Sequence, residues 1–290
     1  RRQAFNIIQD PYANAYERKW RDPASLDLRD RVIGRGGWVA TRNYELDSGA
    51  YFFTQLYDYY LAPDIYRPEK LLEEPMVFDA VNLMVDTWIV EQNHDAQSPY
   101  RYFELPNVGK GTPTAYTGMT WSGFRPSDDP CTYGYLIPAN IFAAAALERI
   151  LELNARVWRS DDLAARAGKL LSDIARGIHQ YGVTTTRDGT RVYAYEVDGR
   201  GGVLADFDDA NVPSLLSIPL LGWSGYDRQV YAATRKRILS KDTNRFYFAG
   251  AKLRGVGSPH TPVGNVWPMA LAIEALTSEG DAQAYAFQLR

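Results

Sequence analysis

Residues 138–158, PANIFAAAALERILELNARVW, and residues 160–180, SDDLAARAGKLLSDIARGIHQ, decide the fold class. In the first, Ile141, Ala145, Leu147, Ile150, Leu151 and Val157 form a broad apolar face at helical spacing. Pro138 suits the first turn, where a backbone N–H would have no helical partner. In the second, Ser160 is the predicted N-cap, and Leu163, Ala167, Leu170, Leu171 and Ile174 face inward. Joined by a short connection, the two segments predict a helical hairpin.

The same pattern extends in both directions. Residues 47–62, DSGAYFFTQLYDYYLA, place Tyr51, Phe52, Leu56, Tyr59 and Tyr60 at spacings of three to four before Pro63 stops the run. Residues 75–90 begin with a proline and carry Val77, Val81, Met84, Val85 and Trp88 on one stripe. Further helices are expected over 215–221, 226–239 and 266–277. Only 100–104, 191–197 and 245–249 suggest strands. An alternating strand and helix order is missing, and so is a GxGxxG turn. The expectation is an all-α chain of successive helical hairpins in a single domain over residues 1–290, with no low-complexity linker.

Composition narrows the function. Thirty-two Lys and Arg against 35 Asp and Glu leave a formal charge of −3, without the basic excess of a nucleic-acid binder. The single cysteine, Cys131, forms no intrachain disulfide and no multi-cysteine zinc site. No apolar run reaches the roughly 18 residues of a membrane span, so no membrane insertion is expected. Aromatic residues make up 13% of the chain, and the 20 tyrosines outnumber the 11 phenylalanines. Tyr and Trp join an apolar face to a polar edge, which suits a sugar cleft as well as a core.

The polar residues gather in four connections between helices: 36–48, 120–135, 206–214 and 257–267. They supply Trp38, Arg42, Asn43, Glu45 and Asp47, then Arg125, Asp128 and Asp129, then Asp206, Asp208, Asp209 and Asn211, and finally His260. Loops of this kind at equivalent positions predict a shared cleft. Each residue also has a plainer role: Asp47 or Ser48 as a helix cap, Asp128 and Asp129 as turn residues after Pro126, His260 as a hydrogen-bonded loop histidine. The 206–211 acids fail the EF-hand spacing because Ala210 stands where a ligand is required. HExxH, GxSxG and phosphate-loop motifs are all lacking. Cys131 lies among acids that would raise its pKa and weaken it as a nucleophile. Carboxylates among Tyr and Trp, with no metal-ligand set, favour acid/base work on a glycosidic bond.

Four runs, GWVATRNYELDSGAYFFTQLYDYY (37–60), TGMTWSGFRPSDDPCTYGYLIPAN (117–140), DFDDANVPSLLSIPLLG (206–222) and GVGSPHTPVGNVWPMALAIEALTS (255–278), resemble glycoside hydrolase family 125. That family comprises metal-independent exo-α-1,6-mannosidases. The resemblance implies an (α/α)6 barrel that removes a terminal α-1,6-linked mannose with inversion and without a cofactor, acting on an α-mannoside oligosaccharide or glycan. It implies a general acid in the FRPSDD segment, Asp128 or Asp129, with Asp128 preferred. Burial beside an aromatic such as Trp121, or a second carboxylate, would hold its proton. Arg125 is expected to grip sugar hydroxyls or to pair with the neighbouring aspartate. Further substrate contacts are expected from Arg42, Glu45, Asp47, Asp208, Asp209, Asn211 and His260. The family's N-terminal WLRDS-like motif and its C-terminal HESF-like motif, whose glutamate is the base, have no counterpart here. The barrel is therefore expected to be incomplete at both termini and the 290 residues alone inactive. The alternatives are a catalytically inactive carbohydrate-binding remnant of this fold and another helical-barrel glycosidase.

Overall fold

The structure is a computed structural model and describes residues 1–278. Its longer helices are α1 (Arg2–Gln9), α2 (Leu46–Leu61), α3 (Pro75–Glu91), α4 (Ile137–Leu153), α5 (Asp161–Tyr181), α6 (Arg228–Ile238) and α7 (Pro268–Leu276). The predicted hairpin is α4 and α5, which pack against each other. Helix α4 is buried on almost every side through Leu147, not along one face alone, and is the central helix of the core. Its other neighbour is α2, while α3 contacts both α1 and α5. Among the described residues no helix is long and apolar enough to cross a membrane.

Local chemistry explains the boundaries. The Ser160 hydroxyl accepts from Leu163 N at 3.2 Å, as an N-cap should. Asn154 clamps the turn before it, donating to Ser160 O and accepting from Ser160 N at 2.9 and 3.0 Å. At the start of α2, Gly49 lets the helix approach α3: a Cβ there would stand 2.7 Å from Met84 Sδ and 2.9 Å from Trp88 Cζ2. This close packing fixes the helix turn that carries Asp47.

Among the described residues nine short strands pair in four small antiparallel sheets. They are β1 (Ala15–Arg21) with β2 (Gly37–Thr41), β3 (Tyr135–Leu136) with β6 (Glu196–Val197) and β7 (Val203–Leu204), β4 (Val183–Thr185) with β5 (Arg191–Tyr193), and β8 (Tyr247–Ala249) with β9 (Arg254–Val256). In the first hairpin Ala15 faces Thr41 and Tyr16 faces Val39. Neither α1 nor this hairpin was expected from the sequence.

Two expected elements differ. Residues 100–104 form no strand, because Tyr102 N bonds to Gly109 O and Leu105 N to Tyr102 O, which folds the segment into turns. Residues 215–221 form no α-helix, only a 3-10 turn at Ile218–Leu220. There the N–H groups of Leu215 and Leu216 go to Asp208, and Ser214 and Ser217 bond each other's backbone, so side chains take donors a helix would use. The expected strand at 191–197 is split into β5 and β6 by Ala194 and Tyr195, and that at 245–249 shortens to β8.

Candidate active site

The first and second polar connections are stitched together at the backbone. Gly123 N and Phe124 N both donate to Tyr44 O at 3.0 Å, and Leu46 N donates to Ser122 Oγ at 3.1 Å. Asn140 on α4 holds the second connection from below, accepting from Thr120 N and donating to Thr120 O. Behind them Trp121 stacks on His94, with ring centroids 3.5 Å apart, and on Tyr44. Gly134 makes room for that indole, since a Cβ would lie 1.9 Å from Trp121 Nε1. Trp121 is therefore a core residue and not a wall beside the acid.

On this frame two groups of carboxylates form. The first is Glu45, Asp47 and Asp128. Glu45 precedes α2, Asp47 lies in its first turn, and Asp128 comes from the second connection, where it adopts a left-handed backbone with φ 65°. The half-buried Asn14 donates to Glu45 Oε1 and Asp128 Oδ1, each at 3.2 Å. Burial, with the charges of Asp47 and Asp128 adding to it, pushes the Glu45 carboxyl up to about 10, and Asp128 also hydrogen-bonds to it. Burial pushes Asp47 up to about 7; its own backbone N–H opposes this, and the Asp128 charge adds to it. Asp47 Oδ1 is buried and has no hydrogen-bond partner among the described residues. Neither Asp47 nor Ser48 is the N-cap; that position is Glu45, whose side chain makes no capping bond.

The second group joins the remaining connections. Ser127 Oγ lies 2.9 Å from Asp129 Oδ2 and 2.7 Å from Asp209 Oδ2. His260 Nδ1 stands 3.6 Å from the same Asp129 oxygen, and Asn211 N donates to Asp209 Oδ1 at 3.3 Å. Burial raises Asp209, against the hydrogen bonds of Ser127 and Ser258. Tyr51, half exposed one turn beyond Asp47, donates to Val212 O at 3.0 Å and ties α2 to the third connection. All four polar connections thus meet. A cavity of about 180 Å³ lined by Asn14, Tyr16, Ser48, Tyr51 and Met84 opens beside the first group. Two larger grooves, of about 430 and 440 Å³, run along α6 and are lined by none of these carboxylates.

Three expected ligand contacts are occupied by the protein itself. Arg125 is buried, with Nε 2.6 Å from Glu196 Oε1 and its guanidinium over the Phe207 ring at 4.6 Å. Its partner is this glutamate, not Asp128 or Asp129. Glu196 in turn accepts from Thr132 N and Tyr133 N. Asp208, fully buried, spends both oxygens on Leu215 N and Leu216 N at 2.8 and 3.1 Å. Arg42 pairs through Nε with Asp10 Oδ2 at 2.5 Å, beside the rings of Tyr12 and Tyr100. Cys131 is buried, and burial pushes its thiol well up, with Glu196 adding to the effect. Among the described residues no group of three or more His, Cys, Asp or Glu is placed to hold a metal ion.

Asn14, Ser127 and Glu196 were missed. Ser127 sat inside the FRPSDD segment and could have been included on that ground. Asn14 and Glu196 lie 114 and 71 residues from the groups they bind, so no local signal exposed them.

Comparison with known proteins gives a consistent result. The model of a family described as metal-independent alpha-mannosidase (GH125) matches residues 1–289. Meiotically up-regulated gene 157 protein of Schizosaccharomyces pombe is 35% identical, over 96% of this chain and 58% of its own length. The chain therefore spans less than two thirds of that relative. A solved Streptococcus pneumoniae metal-independent alpha mannosidase, in a non-productive complex with alpha-1,6-mannobiose, superimposes with a TM-score of 0.88 and 38% identity. That match covers 99% of this chain and 68% of the other.

Proposed function

Because the chain belongs to the GH125 family of metal-independent alpha-mannosidases, we propose that it forms the catalytic (α/α)6-barrel domain of an exo-acting, inverting α-1,6-mannosidase. The observation that carries this reading is the meeting of the four polar connections around two carboxylate groups. Two packings support the barrel: α2 runs parallel to α4, with Tyr51 on Phe142, Thr54 bonded to Arg149 and Tyr57 to Glu152, and α5 returns against α4 as a hairpin. The solved relative's complex with alpha-1,6-mannobiose supports the linkage.

In this reading Asp128 is the general acid. It is exposed, so its carboxyl can reach a glycosidic oxygen, and it lies against Glu45, whose burial and acidic neighbours favour retention of a proton within the pair. Asp129, Asn211 and His260 bind the sugar hydroxyls from the opposite group, and Asp209, buried and bonded to Ser127 and Asn211 N, braces them from behind. Asp47, with a buried oxygen that has no partner among the described residues, accepts a hydroxyl of the terminal mannose. Half-exposed Tyr51 lies beside it as an aromatic edge to the cleft. Inversion requires a second carboxylate across the ring, roughly 6.5–9.5 Å from the acid, to activate water. The resemblance assigns it to an HESF-like motif that does not occur in these 290 residues, so the present assignment covers the acid side of the reaction.

The test is a linkage panel on the full-length protein, with α-1,6-, α-1,2- and α-1,3-mannobiose followed by proton NMR. Release of mannose from the α-1,6 substrate, appearing first as the β-anomer, supports the proposal. Preference for another linkage, or first appearance of the α-anomer, refutes it. Binding without turnover would favour the carbohydrate-binding remnant.

A further inference from the structure

Asn14 is the residue that joins the N-terminal segment to the acid group, and its amide is fully used. Its Oδ1 accepts from Thr41 Oγ1 at 2.7 Å and from Asn43 N at 3.1 Å. Those two donors fix the orientation of the amide, so the NH2 group must point at the carboxylates. Its two hydrogens meet two acceptors, Glu45 Oε1 and Asp128 Oδ1. A side chain with one acceptor end anchored on the first hairpin and two donors shared between facing acids does more than fill space. It sets the separation of the two carboxyls and the direction of each.

The geometry points to Asn14 as a positioning residue for the acid: it holds the Asp128 carboxyl against Glu45 and favours release of the proton the two share. The catalytic part of this inference rests on the role given to Asp128 above. Amide N–H donors bond better to a carboxylate than to a neutral carboxyl, so they favour the ionised pair. Other groups facing the pair are Asp47, Ser48 and Tyr51 on α2, Cys131 on the second connection, and Asp129 with His260 beyond Asp128. The Arg125 guanidinium lies behind Cys131 and is paired with Glu196. Asn14 is thus a neutral donor between acids, the one kind of group that can bridge both without cancelling their charge.

Asn14→Asp separates this role from a structural one. The aspartate keeps an oxygen for Thr41 and Asn43 but has no hydrogens for Glu45 and Asp128, and it adds a charge. Carboxyl titration is read by 13C NMR on protein labelled at Asp and Glu, alongside pH profiles of kcat/KM for α-1,6-mannobiose. In Asn14→Asp the ionisation of the pair is expected to move up by about one pH unit, tenfold in its constant. The alkaline limb of kcat/KM is expected to move with it. Thr41→Val, which removes one of the two donors that orient the amide and leaves Asn43 N, is expected to give a smaller shift in the same direction and guards against a variant that fails to fold. An Asn14→Asp titration that coincides with the wild type overturns the proposal. If the carboxyls shift but no variant, nor the wild type, releases mannose, the positioning role stands and the proposed function fails.

Discussion

Ser127 Oγ lies 2.7 Å from Asp209 Oδ2, so one hydroxyl in the second polar connection closes onto a carboxylate 82 residues further along the chain. The same oxygen is 2.9 Å from Asp129 Oδ2. A hydroxyl has a single hydrogen and cannot donate fully to two carboxylates at once. The contact is therefore a shared one, which draws together two acids that would otherwise repel and holds the third connection against the second.

Ser127→Ala removes that shared donor and leaves two acids in a partly desolvated place. It is expected to cost about 1–3 kcal/mol of stability at pH 7. The loss should shrink in acid, where the carboxyls protonate. Urea unfolding at pH 7 and pH 4 measures both values; equal losses at the two pH values would refute the account.

The two adjacent aspartates should behave differently. Asp128→Asn is expected to lower turnover of α-1,6-mannobiose by about 10²–10⁴-fold. An aryl α-mannoside with an acidic phenol needs little protonation of its leaving group and should lose much less. Asp129→Asn, which alters a residue bonded to Ser127, is expected to raise KM more than it lowers kcat. Steady-state kinetics on both substrates check this, and the reverse pattern would move the acid to Asp129.

Stability should fall as pH rises through the range set by Asp47 and Glu45. Both folded-state pKa values are raised, to about 7 and about 10, above those of an unfolded chain. Between the unfolded and folded values the native state binds more protons, so the stability slope is negative, up to about 1.4 kcal/mol per pH unit for each proton. The cost begins near pH 4, where the unfolded acids ionise, and is complete for Asp47 above pH 7. Asp47→Asn removes it at that site. This variant is expected to melt at a higher temperature than wild type at pH 8 and at the same temperature at pH 4. Calorimetry at the two pH values decides, and a lower melting temperature at pH 8 would refute the prediction.

The buried pair of Arg125 and Glu196 is a structural clamp on the FRPSDD segment. Arg125→Ala leaves Glu196 charged and unpaired at 0% side-chain exposure, and is expected to cost about 3–5 kcal/mol. Arg125→Met combined with Glu196→Gln keeps the volume and removes both charges, so it should cost less than Arg125→Ala alone. A double-mutant cycle in urea measures the coupling. Strictly additive losses would mean the two side chains act independently.

The sequence by itself determined α2 to α7 and the family. Apolar residues at spacings of three and four mark the buried faces of α3 and α5, and of α2 through Phe52 and Leu56, because that period is a property of the helix itself; Tyr51 of the α2 stripe is exposed instead, and α4 is buried on almost every side. Proline and serine at the first turns of α3, α4 and α5 set where they begin. The four polar runs were equally legible, since carboxylates among aromatics between helices are conspicuous in one dimension. Helix α1 and the β1–β2 hairpin went unread: α1 is only eight residues long, and β1 is mostly exposed, with no alternating face to announce it.

What only the tertiary structure decided is which acids face a cleft and which face the protein. Asp208 and Asp209 are neighbours, yet one caps a turn with both oxygens and the other meets Ser127 across the connections. Asp128 and Asp129 also part company, because the left-handed backbone at Asp128 turns its carboxyl toward Asn14 and Glu45. Arg125, suited by type to grip a sugar, is held by Glu196 instead. The physical reason is the same in each case. A loop side chain has no fixed period, and its direction follows from local dihedral angles and from hydrogen-bond partners tens of residues away, which composition and spacing do not contain.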